Sequence, residues 1–255
     1  MTAPLKASRG GPGGAPVLLL IHPMGADHRF WDECRRAWET SFRCIAVDLR
    51  GVGESPALPG PQSLDAHAED LASFCAAEGL TQVTPVGCAV GAMIATVFAA
   101  RNPSLCDRLV LSNPGYRTMP EARAALSMRA ARVRAEGMSG ASGAVDLSFG
   151  PLALPERIEA YRRRFLAQDA AAYALQIDGM LDADISGHLA GIRCATLVVA
   201  GGRDVLLPLH HATAIVDELA DARLTVVEQA GHFVPYECPE RFVRLVSDFI
   251  DERRG

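Results

Sequence analysis

Six short apolar runs alternate with helical patterns along the chain, and no other feature restricts its fold as tightly. The runs fall at 17–21, 44–48, 83–88, 108–112, 196–200 and 224–228. Runs of this length, apolar on both faces, suit strands covered by helices on both sides. Helical patterns lie between them near 30–38, 65–78, 90–101, 208–219 and 239–253. Such alternation implies an α/β fold: a mostly parallel sheet flanked by helices and joined by right-handed crossovers. A chain of 255 residues, 49% hydrophobic, supplies the core for one such domain.

One stretch breaks the rhythm. Residues 115–187 hold no clear strand; helical patterns run through 120–136, 155–168 and 169–182, punctuated by Gly137, Gly140, Gly143, Gly150 and Pro151. The expected organisation is a core built from 1–114 and 188–255, with 115–187 as a helical cap.

The chemistry centres on Val86-Gly87-Cys88-Ala89-Val90-Gly91-Ala92. A strand enters and a helix leaves, which is the setting of a Gly-x-Ser-x-Gly nucleophile elbow, but Ala89 stands where the serine would be. Gly87 and Gly91 fall where strand and helix cross too closely for side chains. Two strand ends downstream carry partners for such a position. The run 196–200 leads into Gly201-Gly202-Arg203-Asp204, and 224–228 leads into Gln229-Ala230-Gly231-His232-Phe233. The order elbow, acid, histidine matches a hydrolytic triad, although Asp204 alone would pass as a turn residue and His232 alone as a loop histidine. The loop His22-Pro23-Met24-Gly25 follows the first run, and the backbone N–H groups of Met24 and Val90 are the candidate oxyanion donors; Pro23 has none to give.

Over nearly its full length the chain resembles the α/β-hydrolase superfamily, and within it the 3-oxoadipate enol-lactonase group. The matching residues are Met24-Gly25-Ala26-Asp27 with Trp31-Asp32, Val47-Asp48-Leu49-Arg50-Gly51-Val52-Gly53-Glu54-Ser55, the elbow, the segment ending at Asp204, and Ala230-Gly231-His232. The resemblance implies Asp204 as acid, His232 as base and position 89 as nucleophile. It says little of substrate, since esterases, lactonases, C–C hydrolases and cofactor-free haloperoxidases share these motifs. Three departures stand out: Ala89 replaces serine, the loop reads His-Pro rather than His-Gly, and the 16 residues before the first run leave room for one strand. The last predicts a shortened N-terminus and a sheet of seven strands or fewer.

With a serine the expected reaction is acyl transfer; without one, loss of the nucleophile costs on the order of 10⁶ in turnover while binding survives. Three readings fit. The chain is a lactone or ester hydrolase whose serine has been exchanged for alanine; or Ala89 is native and His232 serves as general base in serine-free chemistry, such as C–C cleavage or a lyase reaction; or the chain binds a ligand without catalysis. Retention of Asp204, His232 and both elbow glycines favours the first. Cys88 precedes the elbow position, so a buried inert thiol is expected there.

The cap hints at the substrate. Nine arginines lie between Arg117 and Arg164, and one of Arg129, Arg132 and Arg134 is expected to turn inward and clamp a carboxylate. Tyr116, Met119, Phe149 and Phe233 are candidate apolar walls. A small carboxylate-bearing lactone or ester is the expected partner. A net charge of −5 gives no pull toward nucleic acid, and the run 17–21 is far short of a membrane span. Residues 1–16 lack the apolar core of a signal peptide. Seven cysteines without a C-x-x-C suit reduced thiols in a cytoplasm. No cofactor or metal is expected, His210-His211 being neighbours that point apart on a helix. A homodimer is left open.

Overall fold

The computed structural model describes residues 4–252; residues 1–3 and 253–255, at the ends of the expected core and of its last helix, lie outside the described residues. Seven strands form one sheet in the order β1-β3-β2-β4-β5-β6-β7. They are β1 (Ala7–Gly10), β2 (Val17–Ile21), β3 (Arg43–Val47), β4 (Thr84–Cys88), β5 (Arg108–Ser112), β6 (Ala195–Gly201) and β7 (Ala222–Val227). Only β1 is antiparallel, pairing Ala7 with Val47 and Gly10 with Cys44; the other pairs run parallel. Among the described residues one strand precedes β2 and the sheet holds seven, as expected.

Helices α1 (Asp32–Trp38), α2 (Leu64–Ala77), α3 (Val90–Arg101), α9 (His210–Glu218), α10 (Val234–Glu237) and α11 (Pro239–Glu252) surround the sheet. Between β5 and β6 come α4 (Pro120–Glu136), α5 (Gly143–Ser148), α6 (Pro155–Leu166), α7 (Ala170–Met180) and α8 (Ser186–Leu189). Local chemistry sets the starts of several: Pro120 and Pro155 occupy first helical positions, while Ser63 and Asp169 cap α2 and α7 by accepting from Ala66 and Ala172 N–H. The short α5 arises in a stretch that the sequence presents only as glycine punctuation.

The strand β2 explains why both sheet faces are covered. Leu18 and Leu20 pack with Trp31, Trp38, Phe242 and Phe249, whereas Leu19 and Ile21 pack with Leu71, Phe74, Ile94 and Phe98. Period-two alternation sends successive side chains into two separate cores. On α11 the buried Phe242, Val246, Phe249 and Ile250 form one stripe at helical spacing, which docks the helix.

At the carboxyl edge, β4 crosses α3 at minimal distance. A Cβ on Gly87 would fall 2.2 Å from Gly91 O, and one on Gly91 would fall 2.2 Å from Ile21 O. Both obstacles are backbone and cannot rotate away. Gly91→Ala is therefore expected to cost about 3 kcal/mol or more, read as a lost or strongly left-shifted urea transition; a wild-type midpoint would show that α3 shifts freely.

Buried polar groups make stability depend on pH. His67 on α2 is 4% exposed, its Nδ1 has no partner, and burial lowers its pKa to about 4. The unfolded chain takes up that proton near 6.5 and the folded chain only near 4, so folding loses stability as pH falls through this window. Each pH unit removes about 1.4 kcal/mol. His67→Leu is expected to leave stability at pH 7 intact and to flatten urea stability measured at pH 7, 6 and 5; parallel slopes for parent and variant would refute this. His22, also lowered by burial, acts in the same sense, and Glu237, raised by burial, acts in the opposite one.

Candidate active site

The carboxyl ends of β2, β4, β5, β6 and β7 lie along one edge of the sheet, where open α/β folds place their sites. At the end of β4 the chain turns into α3 through Ala89, whose φ of 50° and ψ of −115° are strained for a residue with a side chain. Ala89 N–H donates to Ser112 O at 2.9 Å, and Ala89 O accepts from Met93 N–H at 3.1 Å. The turn is thereby held from the strand side and from the helix side.

His232 and Asp204 meet 28 residues apart in sequence. His232 Nδ1 lies 2.8 Å from Asp204 Oδ2. The same oxygen accepts from Asn113 Nδ2 at 2.9 Å, and Oδ1 accepts from Leu206 and Leu207 N–H at 2.9 Å each. Burial works against the Asp204 charge, but His232, the Leu207 N–H and Asn113 outweigh it and hold the carboxyl below its ordinary pKa. An ionised Asp204 only accepts, so Nδ1 carries the proton and Nε2 of a neutral imidazole keeps its lone pair. That Nε2 has no partner among the described residues, is not sealed, and belongs to a residue lining a cavity.

The cavity encloses about 390 Å³ between the sheet edge and the helices that follow β5. Ala89, His232, Met24 and Val90 all line it. Neither Met24 N–H nor Val90 N–H has an acceptor among the described residues. The loop carrying Met24 is set from behind: Leu49 N–H donates to His22 Nε2 at 3.1 Å, leaving His22 Nδ1 to donate to Pro23 O at 2.9 Å. From the other side Tyr161 OH donates to Gly25 O at 3.1 Å. The Asp48–Ser55 motif performs a related scaffolding task, since Asp48 Oδ1 accepts from His28 N–H at 2.8 Å and Ser55 Oγ donates to Asp48 O at 2.6 Å. Arg50 grips Asp70 through two bonds of 2.7 and 2.6 Å.

Of the three cap arginines nominated from sequence, Arg129 lines the cavity, beside the Tyr173 hydroxyl; Arg132 and Arg134 do not. The stripe of α4 facing inward is Ala122, Ala125, Leu126 and Arg129, at three-to-four spacing. Arg132 is exposed one turn further on, and Arg134 points outward to pair with Asp178. Phe233 and Met119 line the cavity, but Phe149 and Tyr116 require correction. Phe149 sits behind Phe233, edge-on at 5.6 Å, in an aromatic cluster with Tyr161 and Tyr236. Tyr116 turns away, its ring under Arg117 and its hydroxyl on Glu218.

Cys88 is buried with its thiol near His232 O, and burial pushes its pKa well above the ordinary thiol value. Sequence reasoning missed Asn113, His211 and Glu237. Asn113 holds Asp204 and Gly231 O from a left-handed backbone with φ of 48°. Glu237 accepts from Gly231 N–H at 2.8 Å and from Gly150 N–H at 3.0 Å, fixing the loop before His232. The signal for Asn113 was its place at a strand end on the same edge as Ala89. Among the described residues no group of three or more metal-ligating side chains converges, and no helix is long and apolar enough to cross a membrane.

Comparison with known proteins agrees with this fold. A model of the alpha/beta hydrolase family matches residues 18–245. A putative carbamate hydrolase, RutD of Caulobacter sp. (strain K31), is 28% identical over 251 residues, covering 94% of this chain and 93% of its own. A thermophilic esterase from Thermogutta terrifontis, solved with malate bound, superposes with a TM-score of 0.89 at 30% identity, covering 97% of this chain and 93% of its own. The enol-lactonase from Burkholderia xenovorans LB400 superposes with a TM-score of 0.90 at 26% identity, covering 97% and 96%.

Proposed function

The chain belongs to the alpha/beta hydrolase family, and on that premise we propose that it is a hydrolase scaffold for a small ester or lactone which, with Ala89 at the nucleophile position, binds its substrate without turning it over. The observation that carries this reading is the His232–Asp204 pair, bonded at 2.8 Å, its free Nε2 and the strained Ala89 turn lining one cavity. In the intact mechanism His232 would take the hydroxyl proton from residue 89 and Asp204 would stabilise the resulting imidazolium. The unpartnered N–H groups of Met24 and Val90 would receive the oxyanion, and no cofactor is needed. An alanine methyl provides neither the attacking oxygen nor the proton, so no acyl-enzyme forms. Binding energy remains, because residue 89 is one small part of a lining otherwise built by other side chains.

Arg129 gives the cavity a cationic group suited to a substrate carboxylate. The enol-lactonase and esterase likenesses are in keeping with an acyl substrate of this size, and the carbamate hydrolase likeness extends the class to carbamates. The intact imidazole–carboxylate pair also supports a second reading, in which His232 deprotonates substrate or water directly. Ala89→Ser assayed with a 4-nitrophenyl ester separates the two: a folded variant no faster than the parent would overturn the first reading.

A further inference from the structure

The cavity holds a second imidazole with a defined proton position. His211 opens α9 with its ring buried, and Tyr116 N–H donates to its Nδ1 at 3.1 Å. A nitrogen that accepts a backbone N–H carries no proton, so the neutral ring is the Nε2–H tautomer. Burial, followed by the neighbouring His210, lowers the His211 pKa and keeps that neutral form in place at pH 7. Its Nε2 has no partner among the described residues and is not sealed, and His211 lines the cavity. The wall it belongs to begins at the elbow. Met93, one turn after Ala89, packs against Gly115, which in turn packs against Leu207.

Apart from the Met24 and Val90 N–H groups at the elbow and the Tyr173 hydroxyl beside Arg129, the other neutral side-chain donors of the lining are already engaged. Ser148 Oγ donates to Ala144 O at 2.7 Å, Thr118 Oγ1 to Met180 O at 2.8 Å and Tyr161 OH to Gly25 O at 3.1 Å. The cations of the lining are Arg117, which faces Asp184 at 3.8 Å, and Arg129, which lies beside the Tyr173 hydroxyl. The neutral His232 ring, with its Nδ1–H turned to Asp204, presents a lone pair at Nε2. In a mostly apolar enclosure an unengaged neutral N–H set apart from the elbow favours the ligand that satisfies it, because an apolar substitute would leave it buried and unpaired.

We propose that His211 is a substrate-binding residue whose Nε2–H donates to a second oxygen acceptor of the substrate, distinct from the reacting carbonyl, so that the preferred substrates carry a keto or carboxylate oxygen elsewhere in the acyl part. As an assignment of substrate class this rests on the ester-hydrolase reading above; as a binding contact it does not. Two experiments keep these apart.

The first uses the Ala89 chain with ¹⁵N-labelled histidine. His211 should give the Nε2–H tautomer pattern, and its Nε2 resonance should move on titration with methyl levulinate but not with methyl pentanoate. An Nδ1–H tautomer, or equal response to both esters, overturns the contact whether or not the chain hydrolyses anything. The second uses the Ala89→Ser variant with 4-nitrophenyl levulinate and 4-nitrophenyl pentanoate. His211→Asn retains an acceptor for Tyr116 N–H but is too short to present the Nε2 donor. It should reduce the keto-over-alkyl ratio of kcat/KM about 10-fold. His211→Gln, which reaches as far as Nε2, should restore part of the ratio. An unchanged ratio in His211→Asn overturns the assignment while leaving the hydrolase reading intact. If Ala89→Ser hydrolyses neither ester, the hydrolase reading fails and the NMR titration alone decides the contact.

Discussion

Replacing Ala89 with serine is expected to raise hydrolysis of 4-nitrophenyl butyrate on the order of 10⁵-fold over the parent chain, equivalent to about 7 kcal/mol of transition-state stabilisation. The size follows from what is already built. The backbone at residue 89 holds φ of 50°, a value that alanine gains nothing from but that points a side chain into the cavity from the sheet edge. His232 Nε2 is unpartnered, and Asp204 is fixed by four hydrogen bonds. The Met24 and Val90 N–H groups need no rearrangement to become free. Only an oxygen is added, so the variant should fold with a loss of about 1 kcal/mol or less. A burst of 4-nitrophenolate equal to the enzyme concentration would identify an acyl-enzyme, and adding His232→Ala should abolish it. A folded serine variant with parent-level turnover would instead transfer the weight to chemistry in which His232 acts on substrate directly.

The parts of this site that could be read in advance are those that sit at strand ends. Ala89, Asp204 and His232 each follow an apolar run by one to four residues, so the parallel sheet alone brings them to one edge. Asn113 obeys the same rule at the end of β5 and went unread because asparagine in a turn is common. His211 and Glu237 were out of reach for a different reason. Their partners, Tyr116 N–H and Gly150 N–H, lie 95 and 87 residues away, and nothing local marks a side chain whose function is to meet a distant backbone N–H. The helical stretch between β5 and β6 shows the limit of composition. Arginine density selected 129, 132 and 134 together, but a helix presents one stripe, and a phase difference of a few residues decides which guanidinium faces the cavity. Tyr116 failed similarly: its neighbours Gly115 and Arg117 both line the cavity, and its own ring takes the opposite side.

In the Ala89→Ser background, Asp204→Asn is expected to lower kcat by about 10⁴ with little change in KM. Asparagine keeps the shape of aspartate and must place one NH₂ where an oxygen accepted. Put at Oδ1, that NH₂ would face the Leu206 and Leu207 N–H groups, leaving two backbone donors without an acceptor. Put at Oδ2, it would face Asn113 Nδ2 and His232 Nδ1. Asn113 cannot answer by turning its amide over without disturbing its bonds to Ser112 Oγ and Gly231 O. The second placement costs least if His232 gives up its Nδ1 proton and accepts there. The imidazole then carries its proton on Nε2, the nitrogen that must receive the one from serine, and it has no carboxylate to stabilise the imidazolium. The chain should still fold, with stability lowered by about 1–3 kcal/mol for the imperfect pairing. Binding of substrate to the Ala89 chain should hardly respond to the same substitution, because Asp204 itself does not line the cavity. A fall of less than 10-fold in kcat would mean that His232 takes its orientation from Asn113, Glu237 and the loop backbone rather than from the Asp204 carboxylate.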